Sequence, residues 1–261
     1  MIENLKDFSL VLSGGGALGI AHLGVLHDLE KSGFVPKEIV GTSMGGIIGA
    51  CMSVGMKEKD IHGVVQAFAF VSKWVKFSFS GNAIVDNAKI ERIFEKLFGD
   101  KKMRDTQIPL KLITTDLLSG EKKVFDKEDD VFIKDALLAT MAIPGIFTEH
   151  TIKERVYVDG FLCANLGVEE ARCALVLAVD VLGKNAFHQT LPDNLFKTQN
   201  VLEMFERSMR LLILNQTRMI LKHTTKEVYL LEPMTKAYKT YHFHKVDEIR
   251  ALGLGLLTDE V

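Results

Sequence analysis

Cysteine is scarce in this chain: three residues in 261, Cys51, Cys163 and Cys173, an odd set without metal-ligand spacing. That argues against a disulfide framework and fits reduced thiols in a cytosolic protein. A surplus of either charge is missing as well. The 32 Lys and Arg against 34 Asp and Glu leave a net charge of −2, which offers no basic surface to nucleic acid. Long apolar runs are also absent. The nearest, residues 39–56, is broken by glycines and falls short of the about 20 residues a bilayer crossing needs. The first residues lack a basic segment followed by an apolar core, so no secretory signal is expected. There are no repeats, no low-complexity tracts and no interdomain linker. What is present is a globular balance, 47% hydrophobic and 25% charged, in a chain long enough to bury a real core as one domain.

The order of elements predicts an α/β fold. Residues 8–12 read as a buried strand, a glycine loop leads into a helix from about Ala17 to Lys31, and Ile39-Val40 begin a second strand. A turn and a helix over 46–54 follow, which together open a parallel α/β sheet. Helices are predicted over 57–70, 87–98 and 131–141. Leu110 begins a strand that ends at Asp116, Ser119-Gly120 turn it into a hairpin with 122–125, and 155–158 form a strand ending at Asp159-Gly160. Residues 174–181 are the clearest buried strand. A long loop over 183–199, a helix over 201–221, an edge strand over 227–231 and a short helix over 246–252 complete the chain.

Two glycine-flanked turns carry chemistry. Gly41-Thr42-Ser43-Met44-Gly45 lies where a strand turns sharply into a helix, a geometry that lifts a serine Oγ out of the backbone while the glycines leave room beside it. Upstream, Ser13-Gly14-Gly15-Gly16-Ala17-Leu18-Gly19 also joins a strand to a helix. There Gly14, Gly15 and Gly16 can bring bare N–H groups close to a ligand and hold the negative oxygen of a tetrahedral intermediate. The same loop also reads as a dinucleotide fingerprint, Gly14-x-Gly16-x-x-Gly19, with Lys37-Glu38 weakly placed to bind ribose; the serine turn makes this the minor reading. For the base, Asp159 sits at a strand end before Gly160, and Asp116 and Asp180 occupy similar ends. No histidine follows a late strand in a recognisable catalytic position. His22 reads as a core histidine, His188 is the candidate if a Ser-Asp-His triad exists, and His242 and His244 read as exposed.

These residues resemble the patatin-like phospholipase family from about Phe8 to the C-terminal helix. The glycine-rich motif matches Gly14 to Gly19, the serine elbow matches Gly41 to Gly45, and the family's Asp-Gly-Gly or Asp-Gly-Ala motif corresponds to Asp159-Gly160-Phe161. Ala21 to Leu26, Thr115-Asp116-Leu117 with Ser119-Gly120, and Ala142 to Phe147 are similar too. Two of the motifs depart from the family pattern. Leu18 stands where Arg or Lys is common, and Phe161 with Ala164-Asn165-Leu166-Gly167 replaces smaller and Asn-Asn-x-Pro-like residues.

The resemblance implies a three-layer α/β/α fold with a mostly parallel central sheet. One domain then spans 1–261, with core motifs in 8–182 and C-terminal elements in 199–255. It implies a Ser43-Asp159 dyad without histidine, acting on a lipid ester with no metal or organic cofactor. The protein would work from the cytosol in transient contact with the inner membrane face. Phe161 narrows or reshapes the acyl pocket in this reading. Two other readings stay open, a catalytically silent scaffolding protein and the His188 triad. The helix over 201–221 reads as core, with anionic-lipid contact as the minority reading. The cluster of Phe68, Phe70, Trp74, Phe77 and Phe79 reads as core or as a membrane-facing lip, with Lys73 and Lys76 suited to phosphate head groups.

Overall fold

The computed structural model describes residues 5–72, 87–187 and 198–259. In chain order its elements are β1 (Phe8–Leu12), α1 (His22–Lys31), β2 (Glu38–Thr42), α2 (Met44–Ser53), α3 (Glu58–Ser72), α4 (Ala88–Phe98), β3 (Leu110–Asp116), β4 (Lys122–Phe125), α5 (Ile133–Thr140), β5 (His150–Ile152), β6 (Arg155–Asp159), α6 (Phe161–Ala164), β7 (Leu175–Val179), α7 (Thr198–His223), β8 (Glu227–Leu231), α8 (Val246–Ala251) and α9 (Leu256–Asp259).

The strands form one eight-stranded sheet in the order β5-β6-β3-β2-β1-β7-β8, with β4 also paired to β3. β3, β2, β1, β7 and β8 run parallel, whereas β4, β5 and β6 are antiparallel to their neighbours. The sheet is therefore mostly parallel. β1 and β2 are buried at every position, as expected for strands covered on both faces.

Alternation along the strands sorts the core into two sides. Phe8, Leu10, Leu12, Ile39, Leu110 and Leu112 pack with helices α1 to α5. Val11, Val40, Ile113, Val176 and Ala178 pack on the other side with Ala164 of α6, the 166–171 segment and Ile220 and Leu221 of α7. Helices on both faces of the sheet make the three layers. Among the described residues no helix is long and apolar enough to cross a membrane.

Several elements differ from the sequence expectation. The helix expected from Ala17 begins as a 3-10 turn, Gly16–Ala21, and becomes α-helical only at His22. β5 and α6 were not foreseen. β5 joins β6 through Lys153 and Glu154, two non-glycine residues at φ +49° and +66°. Nothing in their chemistry signals such a turn, which usually draws Asn or Gly. His242 is half-buried rather than exposed. His188, Lys73, Trp74, Lys76, Phe77 and Phe79 lie outside the described residues.

Candidate active site

β1 sits where the connection order of the sheet reverses, with β2 on one side and β7 on the other. In open α/β sheets, ligands bind in the crevice outside the strand carboxyl ends at such a switch point. The glycine loop leaves the end of β1 there, and Ser43 leaves the end of β2.

Ser43 occupies the apex between β2 and α2 at φ +53°, ψ −124°, a strained conformation for a residue with a side chain. The surroundings enforce it. A Cβ on Gly41 would lie 2.5 Å from Gly46 Cα, and one on Gly45 would lie 2.3 Å from Leu12 O and 2.5 Å from Ser13 O. α2 thus crosses the end of β1 at a distance only glycine permits. Thr140, the last residue of α5, pins the turn from the far side. Its hydroxyl donates to Ile113 O at 2.5 Å and accepts the Ser43 N–H at 3.0 Å.

Strand register brings Asp159 to the same level. Thr42 of β2 pairs with Ile113 of β3, and Thr114 of β3 pairs with Asp159 of β6. Ser43, Thr114 and Asp159 therefore lie in one row across the sheet. The antiparallel course of β6 is what turns its carboxyl end toward the serine. Asp159 is fully buried. Its N–H donates to Ala142 O at 3.0 Å, its carbonyl accepts the Thr115 hydroxyl at 3.1 Å, and its Oδ1 accepts the Phe161 N–H at 3.0 Å. Burial pushes its pKa up to about 7, against the opposing effects of the Ser43 side chain and the Phe161 N–H. Ser43 is close enough to act on the carboxyl, but Oδ2 has no partner in hydrogen-bond geometry. The contact is thus looser than a formed hydrogen bond, and Oδ2 stays uncommitted.

The other two strand-end carboxylates, Asp116 and Asp180, lie outside the row of Ser43. Asp116 closes its own hairpin turn. It is held below the usual carboxylate range first by the Ser119 N–H and then by Arg155, whose Nη1 donates to Oδ2 at 3.0 Å. Asp180, at the end of β7, is raised to about 6 by burial, its Oδ1 accepts the Leu182 N–H at 3.0 Å and its Oδ2, like that of Asp159, has no partner, but β7 is separated from the serine's strand β2 by β1. Cys51 is no competing nucleophile, because burial pushes its thiol up to about 12.

The glycine loop lies beside the serine. A Cβ on Gly14 would sit 3.1 Å from Ser43 Cβ and 2.7 Å from Asn165 Oδ1. Asn165 grips this loop twice. Its main-chain carbonyl accepts the Gly14 N–H at 3.3 Å, and its Nδ2 donates to Gly14 O at 3.3 Å. In a trans peptide the C=O and N–H point opposite ways, so fixing Gly14 O toward Asn165 turns the Gly15 N–H away from it. Among the described residues the Gly15 and Gly16 N–H groups have no acceptor, whereas that of Gly14 is engaged. Gly16, at φ +54°, lies against Thr240 O, which accepts the Ala17 N–H at 2.8 Å. Below the loop, the His22 Nε2–H donates to Ser13 O at 2.8 Å. Burial lowers the His22 pKa to about 4, so the ring stays neutral near pH 7. Gly19 admits Met44, whose Cγ would lie 2.5 Å from a Cβ there. Gly160 fits closely under Ile113 O, 2.2 Å from where its Cβ would be. Leu18, at the position where the resemblance suggests a basic residue, is fully buried in the core.

Sequence reasoning did not single out Thr140 or the gripping role of Asn165. Both act across long separations, and no local pattern announces them. Asn165→Ala should lower kcat about tenfold or more with KM little changed, a fraction of the loss for an oxyanion donor, about 100- to 1000-fold. Asn165→Asp should do no better, because it presents an acceptor to Gly14 O. Steady-state kinetics beside an unchanged circular dichroism spectrum decide it, and equal losses in kcat and fold content would refute the positioning role.

A family model described as patatin-like phospholipase matches residues 10–172 of the chain. An uncharacterized NTE family protein of Mycobacterium tuberculosis is 26% identical over 162 residues, 62% of this chain and 27% of that protein. A second from the same organism is 28% identical over 182 residues, 68% of this chain and 50% of its own length. Lysophospholipase NTE1 of Debaryomyces hansenii is 27% identical over 276 residues, 96% of this chain but 18% of that protein. The chain thus spans half or less of the length of these relatives. Among solved structures, VipD from Legionella pneumophila aligns over 94% of this chain and 67% of that chain, at 12% identity and a TM-score of 0.46.

Proposed function

The chain belongs to the patatin-like phospholipase family, and from that premise we propose that it hydrolyses the carboxylic ester of a lipid, a phospholipid, lysophospholipid or acylglycerol. The observation that carries this reading is the strained Ser43 apex beside a buried Asp159 with a free Oδ2 and a pKa raised to about 7.

In the proposed mechanism Ser43 Oγ attacks the ester carbonyl carbon while its proton passes to Asp159 Oδ2. An ordinary Asp, with a pKa of about 3.9, is a weak base for a hydroxyl; a carboxylate tuned to about 7 is closer to the operating pH, where general bases work best. The Phe161 N–H holds Oδ1 and leaves Oδ2 to the serine. The Gly15 and Gly16 N–H groups receive the oxyanion, and the N-terminus of α2 adds its positive end. Collapse of the intermediate breaks the C–O bond to the alcohol, which leaves with the proton from Asp159. Water, deprotonated by the same carboxylate, then attacks the acyl-Ser43 ester; the acyl C–Oγ bond breaks, Asp159 returns the proton to Ser43 Oγ, and the fatty acid is released. The proposed chemistry uses no metal or organic cofactor.

In the same reading the protein is one domain that works from the cytosol and meets membrane lipid at the inner face. The Phe161 ring, half-buried against the main core, borders the catalytic turn and shapes the acyl-binding side. Release of free fatty acid from lysophosphatidylcholine, phosphatidylcholine and monoacylglycerol, measured for wild type and Ser43→Ala, tests the reading. It predicts release from at least one of the three by wild type and none above background by the variant. Folded wild type inactive on all of them, or a variant as active as wild type, would refute it.

A further inference from the structure

α7 exposes apolar and cationic side chains on its outer face. Leu212 is 63% and Met219 65% exposed, although both are large hydrophobics. From Arg207 to Lys226 the sequence contains no Asp or Glu. Within that span Arg218 and Lys222 are exposed and have no acidic partner among the described residues.

This face adjoins the site. One helical turn from Leu212, Gln216 accepts the Asn165 N–H at 2.9 Å and donates to Leu162 O at 3.3 Å. Leu162 is itself 42% exposed and stands three residues after Asp159. The next residue, Cys163, donates to Gly120 O at 3.3 Å, tying α6 to the β3–β4 hairpin tip where Leu118 is 84% exposed. A core helix would bury these side chains and a solvated one would carry acids among the cations. This rim does neither, so large apolar groups and unpaired cations run together past the catalytic aspartate's turn.

We propose that the outer face of α7, with Leu162 and Leu118, is the surface by which the protein seats on an anionic lipid bilayer. The charge pattern chooses the occupant. Leucine and methionine enter the acyl boundary while Arg218 and Lys222 meet acidic head groups, the arrangement of an interfacial amphipathic surface. The inference rests on the lipid-hydrolase reading for its purpose, but its test does not depend on catalysis.

Co-sedimentation with vesicles of phosphatidylcholine alone and of phosphatidylcholine with phosphatidylglycerol provides that test. Each Lys or Arg near an anionic surface is worth about 1 kcal/mol, so two contribute about thirtyfold in binding. Wild type should bind the anionic vesicles at least tenfold more tightly than the neutral ones. Arg218→Glu with Lys222→Glu should abolish that preference, and Leu212→Asp with Met219→Asp should weaken binding to both. All positions are exposed, so hydrolysis of the soluble ester p-nitrophenyl butyrate should stay at the wild-type level and report an intact fold and site. Equal wild-type binding to both vesicles, or unaltered binding by either double variant, would overturn the docking surface while leaving the esterase reading standing. A dimer in sedimentation velocity that Leu212→Asp dissociates would also overturn it, in favour of a second copy of the chain. Loss of ester hydrolysis by wild type itself would count against the enzyme reading alone.

Discussion

Asp159→Asn is expected to lower kcat on the order of 10⁴-fold, as loss of an essential dyad or triad member does, and to raise stability at pH 8. The two effects have one cause. Burial holds the folded carboxyl's pKa at about 7, against the 3.8 of an ordinary exposed Asp. Between those values the folded state binds a proton that the unfolded state has released, so this group's contribution to stability falls as pH rises from about 4 to about 7 and stays low above. Asn removes the charge that burial penalises. One pKa unit corresponds to about 1.4 kcal/mol, so the gain at pH 8 is at most on the order of 4 kcal/mol, or several degrees in melting temperature. Near pH 4 the two proteins should melt together. The wild-type kcat/KM should rise about tenfold per pH unit below pH 7 and level off above it, as the base gives up its proton. An inactive variant that is less stable at pH 8 would mean that Asp159 holds the fold and that its charge is not penalised.

Gly45→Ala is the second large effect, this time on folding. The added Cβ would lie 2.3 Å from Leu12 O, 2.5 Å from Ser13 O and 2.6 Å from Leu12 C. All three are backbone atoms, so no side-chain rotation makes room, and a shift moves the end of β1 from which the glycine loop departs. Overpacking in a fixed core costs about 1–3 kcal/mol or more, and at about 2–4 °C per kcal/mol the melting temperature should drop by about 10 °C or the protein should fail to accumulate. Gly63→Ala is the control. Gly63 lies in α3 with nothing within 4 Å of its Cβ position, and it should gain about 0.5–1 kcal/mol from the better helix former. Thermal melts of the two variants decide it, and a Gly45→Ala protein as stable as wild type would contradict the crossing of α2 over β1.

Much of this arrangement was legible in the sequence because it is local. The elbow needs glycine at positions 41 and 45, and the apolar runs at 8–12 and 175–179 are long enough to mark central strands. The meeting of Ser43 with Asp159 is not local. It depends on β6 running antiparallel to β3, which places residue 159 rather than 116 or 180 in the row of the serine. Only the Asp-Gly motif pointed to it. Thr140 reaches Ser43 over 97 positions and Asn165 reaches Gly14 over 151, so no window of sequence contains both partners. β5 was missed because three residues and a turn of Lys153 and Glu154 carry neither period nor turn chemistry. The Leu18 and Phe161 departures proved readable only in place. Leu18 fills core volume, and Phe161 contributes its main-chain N–H to Asp159 whatever its side chain.

The central claim is that Ser43 is a nucleophile activated by Asp159. Labelling with a fluorophosphonate, followed by intact-mass analysis and peptide mapping, addresses it most directly. One adduct per wild-type chain is expected, located on Ser43, absent in Ser43→Ala and formed far more slowly in Asp159→Asn. An adduct mapped to another residue, or a folded wild type that takes up none, would contradict it.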